Sequence, residues 1–126
     1  MKIFVVDDDP FALRLITRQL ELLGYTDVTA HQSAKPALEA LRQDPQAADA
    51  VLLDLAMPDL DGMECLQELA KLKYPGRIVF ISGMDEGVLK TAPLLARGLH
   101  LQAAGAIKKP STPEQLQRLL GDGAST

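Results

Sequence analysis

The sequence predicts an α/β fold built on a parallel sheet, and three observations carry that prediction. Short continuous apolar runs recur at residues 3–6, 50–53 and 78–81, the pattern of strands buried on both faces. Between them lie segments with apolar residues at helical spacing, opened by capping residues or closed by Gly and Pro. The two kinds of segment alternate five times along the chain, the order expected of parallel strands joined by crossover helices.

Each element follows from local residues. After the first strand, Asp9 is an N-cap and Pro10 suits the first helical turn. Phe11, Leu15 and Leu22 are expected to give this helix its apolar stripe, and Gly24 to end it. A weaker strand is expected over 25–30. Ser33 can cap a second helix over 34–42, closed by Asp44 and Pro45. The third strand, 50–53, ends in Asp54, followed by a loop over 56–62 and a helix over 63–72. The fourth strand, 78–81, ends at Ser82 and Gly83.

Residues 85–104 read as helical through Val88, Leu89, Ala92, Leu95 and Leu99, yet Pro93 sits among them. A mid-helix proline costs about 3 kcal/mol. The alternative is a break, with Thr91 capping a second piece that holds Pro93 in its first turn and Gly98 as the stop. A strand over 104–108 leads to Lys109 and Pro110, and Thr112-Pro113-Glu114 opens a last helix through Leu120.

Composition narrows the function classes. A chain of 126 residues suits one domain, residues 1–120, with 121–126 as a small polar tail or the start of a linker to an absent output domain. Apolar residues make up 47%, enough for a sizeable core. The net charge of −4 and the lack of a Lys/Arg run disfavour nucleic-acid binding by this segment. No apolar stretch has the length of a membrane span, and the N-terminus is too short in apolar residues and too acidic for a signal peptide. Cys65 is the single cysteine, so no internal disulfide forms and a cytoplasmic setting is expected.

The chemistry lies where the strands end. Asp7, Asp8 and Asp9 follow the first strand, Asp54 the third, Ser82 the fourth and Lys109 the fifth. Right-handed crossovers bring these ends to one rim, where ligands of open α/β sheets bind. Carboxylates brought together repel, and a cation among them relieves the repulsion. Hard oxygen donors with room for water suit Mg²⁺. A metal, a lysine and a hydroxyl together recognise phosphoryl oxygens, and a carboxylate beside them can itself be the nucleophile. Asp54 is the candidate for that part because it ends the central apolar strand; spacing alone does not decide between it and the Asp7–Asp8 pair.

These residues resemble the receiver domains of bacterial two-component response regulators. The matching pieces are Val5-Val6-Asp7-Asp8-Asp9-Pro10, the run from Leu53 through Asp54 to Gly62, Ile81-Ser82-Gly83, and Lys109-Pro110. The resemblance extends to about Leu120. It implies a flavodoxin-like (βα)₅ three-layer sandwich with a five-stranded parallel sheet in the order 2-1-3-4-5. It implies a histidine kinase or phosphotransfer protein as donor, Asp54 as phospho-acceptor, and Mg²⁺ held by Asp8, Asp7, Asp54 and the backbone carbonyl of Ala56. Ser82 would hydrogen-bond the phosphoryl group and Lys109 would pair with it. The fourth helix, fifth strand and fifth helix would form the output face, with a homodimer as one use of it. Such a domain catalyses only its own phosphorylation and dephosphorylation.

Two departures stand out. Ala106 occupies a position, three before the lysine, where receivers often carry an aromatic residue, so the usual inward swing of a ring is in doubt. The stretch from Ser82 to Lys109 is long, and residues 87–107 look like receivers that precede EAL-type cyclic-di-GMP phosphodiesterase domains. Ala56 and Met84 flank the pocket without a polar side chain, so slow loss of the phosphoryl group is expected.

Plainer readings stand beside these. Asp9 is a helix cap, and Asp59 and Asp61 are solvated loop charges. Cys65 is a small apolar core residue. His31 and His100 are surface or structural. Leu94, Leu95, Leu99 and Leu101 are core by default and a partner surface otherwise. The main rival function is a pseudo-receiver that is never phosphorylated and acts as a constitutive interaction module. A small phosphatase would need an aspartate where Ala56 stands. A flavin protein would need a Gly/Ser/Thr-rich loop after Val6, and the chain has neither that loop nor a tryptophan.

Overall fold

The computed structural model describes residues 1–55, 62–83 and 86–121. Among them five strands alternate with five helices: β1 (Lys2–Val6), α1 (Pro10–Leu22), β2 (Asp27–His31), α2 (Ala34–Gln43), β3 (Ala50–Asp54), α3 (Gly62–Lys71), β4 (Arg77–Ser82), α4 (Glu86–Gly98), β5 (Gln102–Lys108) and α5 (Pro113–Leu120). All strand pairings are parallel, in the order β2-β1-β3-β4-β5.

Strand parity explains the three layers. Successive side chains of a strand point to opposite faces. Phe4, Val6, Val51, Leu53, Ile78 and Phe80 pack with α2, α3 and α4 on one face. Ile3, Val5, Leu52, Val79, Ile81 and Ile107 pack with α1 and α5 on the other. Both parities are apolar because both faces are covered, which is why β3 is buried at every position.

Local signals set most helix starts. The Asp9 side chain accepts from the Phe11 N–H and Ser33 from the Lys35 N–H. Thr112 and Gln115 form a reciprocal capping box at α5.

The apolar stripe of α1 differs from the sequence expectation. Phe11 and Leu22 are 72% and 70% exposed. The buried face is Ala12, Leu13, Ile16, Gln19 and Leu20. Position relative to the sheet, not apolarity alone, chooses the face.

The fourth helix is continuous through Pro93, so Thr91 caps no second piece. Its hydroxyl instead donates to the Gly87 carbonyl at 2.7 Å, inside the helix. The helix stops at Gly98, as expected, and His100 takes the left-handed conformation (φ +65°). The Leu101 N–H bonds Ala96 O and the His100 N–H bonds Arg97 O, a Schellman closure. The fifth strand therefore begins at Gln102, earlier than expected, and absorbs one extra residue as a bulge between its pairings Ile78↔Ala103 and Val79↔Gly105.

Candidate functional site

The parallel order puts the C-terminal ends of β1, β3, β4 and β5 side by side, with β3 central. Asp7 follows β1, Asp54 ends β3, Ser82 ends β4 and Lys109 follows β5. Of the five residues expected to form the pocket, Asp7, Asp54 and Ser82 are buried, Lys109 is partly buried and Asp8 is exposed.

Lysine 109 joins the set. Its ammonium lies 2.6 Å from Asp7 Oδ2 and 3.2 Å from Asp54 Oδ2. Its backbone N–H donates to Ser82 O at 2.9 Å, which fastens the turn after β5 onto the end of β4. Burial alone would lower the lysine's pKa. The hydrogen bond to Asp7 and the charges of Asp54 and Asp7 outweigh it, so the pKa is raised and the ammonium stays charged.

Loop geometry around Asp7 is also set locally. The other oxygen, Oδ1, accepts from the Asp9 N–H at 2.9 Å, while the Asp7 N–H donates to His31 O at 3.0 Å. Asp7 is thereby held between β2 and the start of α1. The Asp9 carboxylate caps α1 and belongs to the helix, as its sequence context predicts.

Carboxylate oxygens of Asp7, Asp8 and Asp54 all lie within 4.8 Å of one another. Three hard anionic donors at that separation, two of them on buried residues, fit a small divalent cation. A single ammonium leaves this cluster negative. Ala56, whose carbonyl is the fourth expected metal ligand, and Met84, expected to flank the pocket, lie outside the described residues.

Other residues fall as read or nearly so. Cys65 is buried in the core. His31 packs edge-on against Phe4, with ring centroids 4.7 Å apart. Ala106 pairs with Phe80 in the sheet and packs against the core. The peptide bond between Lys109 and Pro110 is cis. Leu101 is buried, Leu99 packs on the core, and Leu94 and Leu95 are exposed. Among the described residues no helix is long and apolar enough to cross a membrane.

A buried polar pair also lies in this region. Gln19 and Ser111, 92 residues apart, are both buried and joined by two hydrogen bonds. A polar residue on the inner face of an amphipathic helix is the only sequence signal, and it does not name the partner.

Known proteins share this fold. Residues 3–120 match the response regulator receiver domain family. The positive alginate biosynthesis regulatory protein of Pseudomonas aeruginosa is 33% identical over 125 residues, covering 93% of this chain and 50% of that protein. The alkaline phosphatase synthesis transcriptional regulatory protein PhoP of Bacillus subtilis is 31% identical over 115 residues, covering 91% of this chain and 45% of that protein. The chain thus spans about half the length of these two curated relatives. A crystal structure of a response regulator from Colwellia psychrerythraea superposes with a TM-score of 0.82 at 35% identity, covering 98% of this chain and 96% of that one. With the family match running over nearly its whole length, the chain belongs to the response regulator receiver domain family.

Proposed function

We propose that this receiver takes a phosphoryl group on Asp54 from a histidine kinase or phosphotransfer protein and thereby switches an output partner. One observation supports it most: a buried carboxylate at the end of the central strand has the Lys109 ammonium 3.2 Å away and two further carboxylates within 4.8 Å. In the transfer, an Asp54 oxygen forms a bond to phosphorus while the bond from phosphorus to the donor nitrogen breaks, and the donor leaves with that electron pair. Lys109 pairs with the phosphoryl oxygens and the Ser82 hydroxyl donates to them. Asp7, Asp8, Asp54 and the Ala56 carbonyl would hold Mg²⁺, which when bound offsets the negative charge on the phosphoryl oxygens.

On this reading the receiver unit is residues 1–120, since the family match and α5 both end at Leu120, and the output face is α4, β5 and α5. Residues 87–107 support an EAL-type cyclic-di-GMP phosphodiesterase as the controlled module, which the coding sequence after Thr126 decides.

Acetyl phosphate with Mg²⁺ is the direct test. Wild type should gain the mass of one phosphoryl group, and Asp54→Asn should gain none. A wild type that gains no mass, or a variant that gains as much, overturns the proposal.

A further inference from the structure

Helix α1 touches the site twice. Its first turn follows the Asp7–Asp9 loop, where the Asp9 N–H holds Asp7 Oδ1. Two turns further on, the Gln19 side chain reaches the segment that carries Lys109. Its Nε2 donates to the Ser111 carbonyl at 2.8 Å, and its Oε1 accepts from the Ser111 hydroxyl at 2.6 Å. Both residues are buried, so water offers neither group a substitute partner. Gln19 also stands on the inner face of α1 among Ile16 and Leu20, where an apolar side chain would pack without a polar partner.

Ser111 lies two residues past Lys109. The intervening Pro110 has no N–H, so that residue makes no backbone donation that could fasten the turn. The turn is held instead at its ends. On one side the Lys109 N–H bonds Ser82 O at 2.9 Å; on the other Gln19 grips Ser111 at both of its acceptor and donor groups. Thr112 follows immediately as the cap of α5. A lysine stem has several rotatable bonds, so its ammonium is directed only as well as its backbone is held.

Resting on the phospho-acceptor reading above, we propose that Gln19 is a positioning residue for Lys109: its two-bond grip on Ser111 sets where the ammonium meets the transferring phosphoryl group. The rival account is that the pair only satisfies two buried polar residues and adds stability. The two accounts differ in what they leave unchanged. Asp7 and Asp8 follow β1 and Asp54 ends β3, all outside the gripped turn, so loss of the grip should not weaken metal binding.

The test compares wild type, Gln19→Met and the double variant Gln19→Met/Ser111→Ala. The methionine keeps the side-chain length, and the second change removes the hydroxyl left without its partner. Three quantities are read: Mg²⁺ affinity by NMR titration, the rate of mass gain from acetyl phosphate, and the melting temperature. Misplacement of a charge-stabilising group should slow phosphoryl transfer by about tenfold in both variants while Mg²⁺ affinity stays within about twofold. Melting temperature should recover in part in the double variant without recovery of the rate. Wild-type transfer rates in either folded variant overturn the inference, as does a slowing matched by an equal loss of Mg²⁺ affinity. A wild type that gains no mass overturns the phospho-acceptor reading and this inference with it, whereas a phosphorylated wild type with equally fast variants sinks the inference alone.

Discussion

Lys109 is a partly buried ammonium touching two carboxylates, and the balance of those effects sets its charge. Its raised pKa means its ion pairs contribute stability fully below the ordinary value of 10.5 and lose it only as pH climbs through the raised value. His31 shows the opposite case. Burial lowers its pKa, and its buried Nε2 has no hydrogen-bond partner among the described residues. Below its ordinary value of 6.5 the unfolded chain takes up a proton that the folded chain resists, so stability is full above 6.5 and falls as pH drops beneath it. Denaturant midpoints above and well below 6.5 should therefore differ less in His31→Phe than in wild type; identical differences would remove His31 from the account. Asp7, Asp8, Asp54, Ser82 and Lys109 are named by their places after apolar strands. The pairing of Gln19 with Ser111 was not legible, because a hydrogen bond across 92 residues leaves no local pattern.

Helix ends carry the lesson at the scale of elements. Gly24 adopts a positive φ as a glycine after a helix should, but so do Lys73 and His100. Each of these two precedes a buried residue, Tyr74 or Leu101, whose N–H closes the helix it follows. Tyr74 further donates its hydroxyl to Ala48 O at 2.8 Å. Burial of the following side chain overrides the local preference for glycine, and no propensity scale contains it. Pro93 is the other override. It stays within α4 although its ring removes one helical hydrogen bond. Replacing it with alanine relieves about 3 kcal/mol of helix cost and forfeits about 1.6 kcal/mol for two buried methylenes. Pro93→Ala should therefore stabilise the protein by about 1.4 kcal/mol in chemical denaturation. A loss of stability would mean that the buried ring of Pro93 matters more to packing than its missing N–H does to the helix.

The whole molecule concentrates negative charge at one rim and covers both faces of the sheet with helices. A cation bound by the folded state and not the unfolded chain adds stability by mass action. Mg²⁺ at about a hundred times its Kd should add about 2.7 kcal/mol, and a chelator should remove it. Asp8→Asn should need more Mg²⁺ for the same rise in melting temperature. A melting curve indifferent to Mg²⁺ would count against the acidic pocket as a metal site. The flavodoxin-like order 2-1-3-4-5 came with the family resemblance, since alternation of elements dictates a parallel sheet but not which strands adjoin.

Short-range sequence patterns give the alternation of strands and helices and the parallel sheet, and point to the residues that follow the strands at its rim. These patterns are apolar runs, caps, and breakers within a few residues of one another. Tertiary structure alone decided which face of α1 is buried, how α4 ends, and which groups Lys109 and Gln19 meet. Such choices depend on what a side chain loses when water is excluded and on which distant partner replaces it, and neither is written in the neighbouring residues.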